Sequence, residues 1–247
     1  GLTNVLYVPH GIEKDVFKLQ EHVSARRALS ETLKTDLENH FLIVMNAANK
    51  SNPSRKGFYE GFSAFKVFSH DYPDALLYVH AEASGSYGGE NLHRILRLIG
   101  LDQKKVLFPP QYPLVCGMLG TKFMVDLYTA ADVFLSASHG EGFGIPTVEA
   151  QFCGCPVIVP RNSAQTELCL TGRLVDTSHY MPFENVVWRR PDISDMSTAL
   201  MFAHKASYDN TDRANTRSKV LSYDADMVFQ KYMKHALERA STTYVHT

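Results

Sequence analysis

Two glutamates, Glu141 and Glu149, stand on either side of a turn that carries Gly142 and Gly144, with seven residues between the two carboxylates. A carboxylate does not bind phosphate directly, but it accepts hydrogen bonds from sugar hydroxyls, as acidic residues do on the ribose in dinucleotide-binding folds. Glycine in such a turn permits a ligand to approach the backbone closely. The pattern predicts a site for sugar hydroxyls; the alternative is two acids that only complement a helix dipole.

The residues around this turn predict a strand before it and a helix after it. Residues 132–136 form an apolar run typical of a buried strand, and Pro146 suits the first turn of a helix, where its missing N–H costs nothing. The start of a helix presents free N–H groups and the positive end of the helix dipole, which attract phosphate. A phosphate site beside two sugar-binding carboxylates indicates a nucleotide-sugar.

A second loop, residues 46–56, supplies positive charge. It contains Lys50, Arg55 and Lys56 and closes on Gly57, where another helix is predicted to begin. A nucleoside diphosphate is a good leaving group only when its charge is neutralised, and lysine or arginine can do this without a metal. The alternative is a solvated basic loop, and for Arg55 this alternative is favoured.

Apolar runs alternate with amphipathic segments along most of the chain, which predicts an α/β fold with a Rossmann-like, doubly wound parallel sheet. Ligands of such sheets bind at the carboxyl ends of the strands, where the basic loop and the glycine turn both fall. From Ile193 onward the pattern is mostly helical. The predicted strands are residues 41–45, 75–80, 106–108, 132–136, 157–159 and 174–175.

Composition excludes several classes of function. The chain has 247 residues, of which 45% are hydrophobic and 21% charged, so it can form one large α/β domain or two small ones. The formal net charge of −1 argues against nucleic acid as a partner. No apolar run approaches the roughly 20 residues of a transmembrane helix.

The four cysteines show no regular framework, which predicts reduced thiols in a cytoplasmic protein, with peripheral membrane association left open. Cys153 and Cys155 are close enough in sequence to suggest a metal site. No Cys or His pair stands at zinc spacing from them, so buried packing is the favoured interpretation and no metal is expected.

Residues 131–160 (ADVFLSASHGEGFGIPTVEAQFCGCPVIVP) resemble the signature of the retaining family-four glycosyltransferases of GT-B fold. Three further segments resemble landmarks of the same family, in its order and at its spacing. Residues 8–12 resemble the entry into the donor domain, residues 54–58 the basic phosphate-binding turn, and residues 172–175 a short strand. Four ordered landmarks make this resemblance far more specific than the two glutamates alone.

The resemblance implies a role for each candidate residue. Glu141 would be catalytic, close to the transferred sugar and the reacting carbon, and Glu149 would hold the ribose. Lys56 takes the place of the family's phosphate-binding lysine, and Lys50 falls near its companion, which is more often arginine. The remaining donor-binding residues would be those of the turn: Gly142, Phe143, Gly144 and Ile145. For Phe143, packing and ligand contact are equally open, and the resemblance implies no cofactor beside the donor.

GT-B enzymes have two Rossmann-like domains, and the donor binds mainly to the C-terminal one. The chain begins where the family's second domain begins, which predicts that residues 1–247 are a single donor-binding domain, helical from about residue 193, without an acceptor domain. The expected function is a retaining glycosyltransferase of the hexosyltransferase class. It would use a UDP- or GDP-sugar and an unidentified glycan, lipid or protein acceptor, and would need an N-terminal domain or companion subunit.

Two other functions are compatible with the same fold. A non-catalytic nucleotide-sugar-binding or assembly module would keep the architecture, although it would tolerate loss of Glu141, Glu149 and Lys56. A sugar-nucleotide epimerase is disfavoured, because the whole set of landmarks resembles the transferases.

Overall fold

A six-stranded parallel sheet forms the centre of the computed structural model, which describes residues 5–183, 186–206 and 208–244. The strand order is β3-β2-β1-β4-β5-β6, the order of dinucleotide-binding folds. The predicted doubly wound parallel sheet is therefore confirmed. The strands are β1 (Phe41–Asn46), β2 (Ala75–His80), β3 (Val106–Leu107), β4 (Val133–Leu135), β5 (Val157–Pro160) and β6 (Gly172–Val175).

Helices cover both faces of this sheet. The helices are α1 (His22–Leu33), α2 (Phe58–Asp71), α3 (Leu92–Ile99), α4 (Gln111–Val115), α5 (Thr121–Ala130), α6 (Ile145–Phe152), α7 (Gln165–Leu168), α8 (Ile193–Ala206), α9 (Asn210–Val220), α10 (Ala225–Val228) and α11 (Lys234–Tyr244). A π-helical segment, Phe229–Met233, joins the last two. None of the described helices has the length and apolar character needed to cross a bilayer.

The side chains of β1 alternate between two hydrophobic cores. Ile43 and Met45 contribute to a core formed with α2, α3 and α8, whereas Leu42 and Val44 contribute to a second core formed with α1 and α5. A parallel strand buried on both faces reads as a continuous apolar run, which is why residues 41–45 were recognisable as a strand.

A two-stranded antiparallel hairpin, β7 (Thr177–Phe183) and β8 (Val186–Pro191), follows the main sheet and was not predicted from the sequence. Its attachment comes from long-range contacts. The backbone N–H of Arg189 donates to the carbonyl of His139 at 3.0 Å, and the Asn162 side chain donates to the carbonyls of both residues at 3.2 Å. The short helices α4 and α7 were also not predicted.

The order of the strands places β1 and β4 side by side, so the loops that follow them border one crevice. Each loop leads into a helix through a glycine in the left-handed region, Gly57 before α2 (φ 65°) and Gly144 before α6 (φ 102°). A Cβ on Gly57 would lie 1.9 Å from the carbonyl oxygen of Ala137, in the loop after β4. This close approach brings the start of α2 against that loop.

Candidate functional site

Glu141 is held between two cations at the crevice. The Nζ of Lys56 lies 2.5 Å from Oε1 of Glu141, and Nη1 of Arg55 lies 2.9 Å from Oε2. The carboxylate side chain is only 11% exposed, against 19% for Lys56 and 39% for Arg55. The structure thus brings Lys56 and Glu141, which the sequence predicted as site residues, into direct contact.

The two cations set the protonation state of Glu141. Burial alone would raise the pKa of this carboxyl, but the hydrogen bond and charge of Lys56, together with those of Arg55, outweigh burial and hold the pKa below its usual value. Glu141 is therefore a carboxylate at neutral pH. It forms a negative centre enclosed by positive charge, in a position largely withdrawn from water.

The loop that carries Glu141 is fixed by hydrogen bonds from two sides. Nη1 of Arg55 donates to the carbonyl of Gly140 at 2.5 Å, and the carbonyl of Arg55 accepts from the N–H of His139 at 2.7 Å. On the other side, the N–H of Glu141 donates to Oγ of Ser163 at 2.9 Å. The backbone before the first glutamate is thus anchored to both the basic loop and the loop after β5.

The glycine turn leaves free space at Gly142, where an added Cβ would meet no atom within 4 Å. Ile145 is partly exposed, whereas Phe143 packs, with its ring 5.0 Å from that of His10 and 5.9 Å from that of Tyr223. In this structure Phe143 therefore connects the turn to the N-terminal and C-terminal segments, and Gly142 faces open space.

Glu149 lies in a different environment from Glu141. The hydroxyl of Tyr128 donates to its Oε2 at 3.0 Å, and this hydroxyl accepts from Nδ2 of Asn46, the last residue of β1, at 2.8 Å. Burial raises the pKa of Glu149, and the hydrogen bond from Tyr128 opposes that rise only in part. Among the described residues, none donates a hydrogen bond to Oε1, so a ligand hydroxyl could donate to it.

Lys50 makes no contact with Glu141. It is exposed, forms no ion pair within the described ranges, and lines a neighbouring cleft of about 600 Å³. The carboxyl ends of β1 and β2 form the floor of this cleft, and Tyr87 and α4 form its wall. Because Asn46 also lines the cleft, the cleft adjoins the Asn46–Tyr128–Glu149 chain of hydrogen bonds.

Sequence reasoning missed a cluster of polar contacts around the buried carboxylate of Glu60, beside the site. Oε2 of Glu60 lies 3.2 Å from Nε2 of His139, and Oε1 of Glu60 accepts from Nε of Arg190 at 2.6 Å. Glu60 is on α2 and Arg190 on β8, so the cluster ties the hairpin to the loop before Glu141. No signal in the sequence pairs Glu60 with His139, and the hairpin that carries Arg190 was not recognised.

Arg55 contacts the site more closely than the sequence predicts. A solvated position was favoured for it, yet its guanidinium contacts Glu141 and the carbonyl of Gly140. The one signal in the sequence is its place directly before Lys56. The contact of this turn with the loop after β4 is visible only in the structure.

The packing interpretation of the two neighbouring cysteines is confirmed. Cys153 and Cys155 are fully buried, and burial raises the pKa of both thiols, that of Cys155 to about 12. Across residues 5–183, 186–206 and 208–244, no three His, Cys, Asp or Glu side chains are grouped as ligands for a metal ion.

The fold and the crevice define a Rossmann-like domain with its candidate site at the β1–β4 switch point. Comparisons with known proteins show which proteins it resembles. Residues 84–184 match the family model described as "Glycosyl transferases group 1". A D-inositol 3-phosphate glycosyltransferase from Saccharomonospora viridis is 40% identical over 63 residues, which are 26% of this chain and 13% of the relative.

Two solved structures are similar in fold. A glycosyltransferase from Rickettsia africae has a TM-score of 0.70 and 16% identity, covering 94% of this chain and 56% of that one. Anabaena HepE in complex with UDP-glucose has a TM-score of 0.66 and 18% identity, covering 95% of this chain and 57% of that one. These similarities confirm the resemblance of the chain to the C-terminal domain of the family-four GT-B enzymes. The chain spans little more than half the length of these solved structures.

Proposed function

We propose that this chain is the donor-binding domain of a retaining glycosyltransferase that transfers a sugar from a UDP- or GDP-sugar. The observation that carries the proposal is the Lys56–Glu141 contact, which joins a cation and a carboxylate from loops 85 residues apart at the β1–β4 crevice. Open α/β sheets bind their ligands at such a switch point. The sugar-nucleotide named in the HepE complex supports the same class of ligand.

The diphosphate would lie against Lys56 and the starts of α2 and α6. These two helices begin at neighbouring loops, and the free N–H groups at a helix start favour an anion. Lys56 would stabilise the charge that develops on the leaving nucleoside diphosphate. Lys50, at the edge of the adjoining cleft, would supply further positive charge without contacting Glu141.

The ribose and the sugar would be bound by different glutamates. Glu149, with Asn46 and Tyr128, adjoins the cleft at the ends of β1 and β2 and would accept hydrogen bonds from the ribose hydroxyls. Glu141, at the phosphate end of the site, would face the transferred sugar. The open space at Gly142 would admit the donor close to the backbone.

Transfer would require a second domain or subunit that supplies the acceptor side of the cleft. This chain covers only 56–57% of the Rickettsia and Anabaena structures, which supports a two-domain enzyme. The acceptor would be a glycan, lipid or protein. We propose that the enzyme lies in the cytoplasm. We also propose that it needs no metal, because lysine and helix N–H groups would neutralise the diphosphate.

The experiment that tests this assignment titrates Glu141→Ala and Glu149→Ala with plain nucleotide and with nucleotide-sugar. Glu149→Ala should weaken both ligands by about tenfold, since each carries the ribose and one hydrogen bond to a charged group is lost. Glu141→Ala should keep or improve nucleotide affinity, because Lys56 is freed, yet weaken the intact donor. Glu31→Ala, an exposed change on α1, is the matched control.

If Glu141→Ala loses the same affinity for plain nucleotide as for nucleotide-sugar, Glu141 does not contact the sugar. If neither variant changes any affinity, the two acids only complement helix dipoles, and the non-catalytic module becomes the better assignment.

A further inference from the structure

We propose that Arg55 is a positioning residue: it keeps Glu141 in place when Lys56 gives its charge to the diphosphate of the donor. This inference rests on the proposed function and adds to it a residue that the sequence pattern did not assign. It explains why two cations, rather than one, meet a single carboxylate at the crevice.

The two cations contact different oxygens of the Glu141 carboxylate. Lys56 contacts Oε1 and Arg55 contacts Oε2, so neither cation replaces the other in the structure as it stands. Removal of Lys56 from Oε1 leaves the contact at Oε2 intact. Glu141 therefore has a second, independent anchor.

The two cations differ in how far they are free to leave. Lys56 carries a compact charge on a flexible stem, and within the described residues its ammonium pairs only with Glu141. Arg55 is held by its loop through both its side chain and its main chain. Nη1 of Arg55 also donates to the carbonyl of Gly140. The main-chain carbonyl of Arg55 accepts from Oγ of Ser138 and from the N–H of His139. A diphosphate that competes for a cation therefore draws Lys56 and leaves Arg55 in place.

Glu141 needs such an anchor because it is only 11% exposed. A carboxylate that loses its counter-charge in a withdrawn position either takes up a proton or turns toward water. Among the described residues, the charged groups that face this carboxylate are Lys56 and Arg55. With Lys56 on the phosphate, Arg55 alone keeps Glu141 ionised and directed at the crevice.

The test follows the titration of Glu141 with and without nucleotide. In protein labelled with ¹³C at glutamate carboxyls, the Glu141 signal is identified by its absence in Glu141→Gln, and its pKa is measured in the free protein and in saturating UDP or GDP. The wild type and Arg55→Gln are compared with Arg55→Lys, which restores the charge, and with Arg27→Gln, an exposed change on α1.

The wild type and Arg27→Gln should keep the pKa of Glu141 below the usual 4.5 in both states. In Arg55→Gln the pKa should stay low in the free protein, where Lys56 remains, and rise above 4.5 when nucleotide is bound. Arg55→Lys should reverse most of that rise. A structural role alone would not make the effect depend on nucleotide.

The failure of this inference can be distinguished from failure of the proposed function. If nucleotide binds all four proteins and the Glu141 titration of Arg55→Gln matches the wild type in both states, the inference is overturned and the donor site stands. If neither nucleotide binds any of the proteins, the proposed function is overturned, and the inference with it.

Discussion

Glu141 and Glu149 lie in opposite electrostatic environments although they belong to one short motif. After burial, the main influence on Glu141 is Lys56, with Arg55, and the pKa falls below its usual value; for Glu149 burial dominates and the pKa is raised. A lowered carboxyl pKa contributes stability that is present above the unfolded-state pKa and lost as pH falls through the folded-state value. A raised one contributes stability only at acid pH, and that contribution is lost as pH rises through the folded-state value.

Isosteric neutral variants should therefore change stability in opposite directions at neutral pH. Glu141→Gln leaves two cations without their partner and should lower the free energy of unfolding by about 1–2 kcal/mol. Glu149→Gln removes an ionised group from a withdrawn site while keeping an acceptor for Tyr128, and should raise the melting temperature by about 1–3 °C. Thermal melts at neutral and acid pH measure both effects, which should shrink as the carboxyls become protonated. A melting temperature lowered by Glu149→Gln would contradict this assignment.

At the scale of elements, the start of α2 depends on one glycine. Gly57 has a φ of 65°, and a Cβ there would lie 1.9 Å from the carbonyl oxygen of Ala137. Gly57→Ala should therefore destabilise the domain by more than about 2 kcal/mol, since both a left-handed backbone and a close contact oppose it. Gly142→Ala is the matched control, because its Cβ meets no atom within 4 Å. Denaturant unfolding that finds equal stabilities would refute this role of Gly57.

The two helix starts and the basic loop also predict how the diphosphate is neutralised. Because Lys56 and the first N–H groups of α2 and α6 would supply the positive charge, nucleotide binding should survive EDTA with its affinity changed by less than twofold. Calorimetry before and after chelation, with magnesium or manganese added back, is the measurement. A strict need for either ion would rule out this account of the phosphate site.

The sheet was predictable because its information is local. β2 (Ala75–His80) is an apolar run up to its last residue. α3 (Leu92–Ile99) is capped by Asn91 at its start and by Gly100 at its end, and both caps are local signals. The hairpin of β7 and β8 was not predictable in this way. It is attached by Arg190 to a glutamate on α2, a contact between residues 130 apart in sequence.

The site was predictable to the same extent. Lys56 and Glu141 follow adjacent strands, so topology alone brings their loops to one edge. The contact of Arg55 with Glu141 depends on the direction of the arginine side chain, which no spacing in the sequence encodes. Lys50 and Lys56 belong to the same loop, yet only Lys56 reaches Glu141.

At the scale of the whole molecule, the proposed function assigns to this chain one side of a two-domain cleft. The matches with the Rickettsia and Anabaena proteins cover 94–95% of this chain but only 56–57% of those proteins. The groups that would hold the nucleotide all lie on this chain, whereas an acceptor would need surfaces outside the matched half. Nucleotide binding should therefore be measurable with this chain alone.

The most direct test of the account is a calorimetric titration of UDP and of GDP into the wild type, Lys56→Ala and Lys18→Ala, an exposed lysine that serves as the control for loss of one charge. The wild type and Lys18→Ala should bind one of the two nucleotides with equal affinity. Lys56→Ala should bind it more weakly by about 1.5–3 kcal/mol, the contribution of one hydrogen bond to a charged group. Equal affinities in Lys56→Ala and the wild type, or no binding of either nucleotide, would contradict the placement of the donor diphosphate at Lys56.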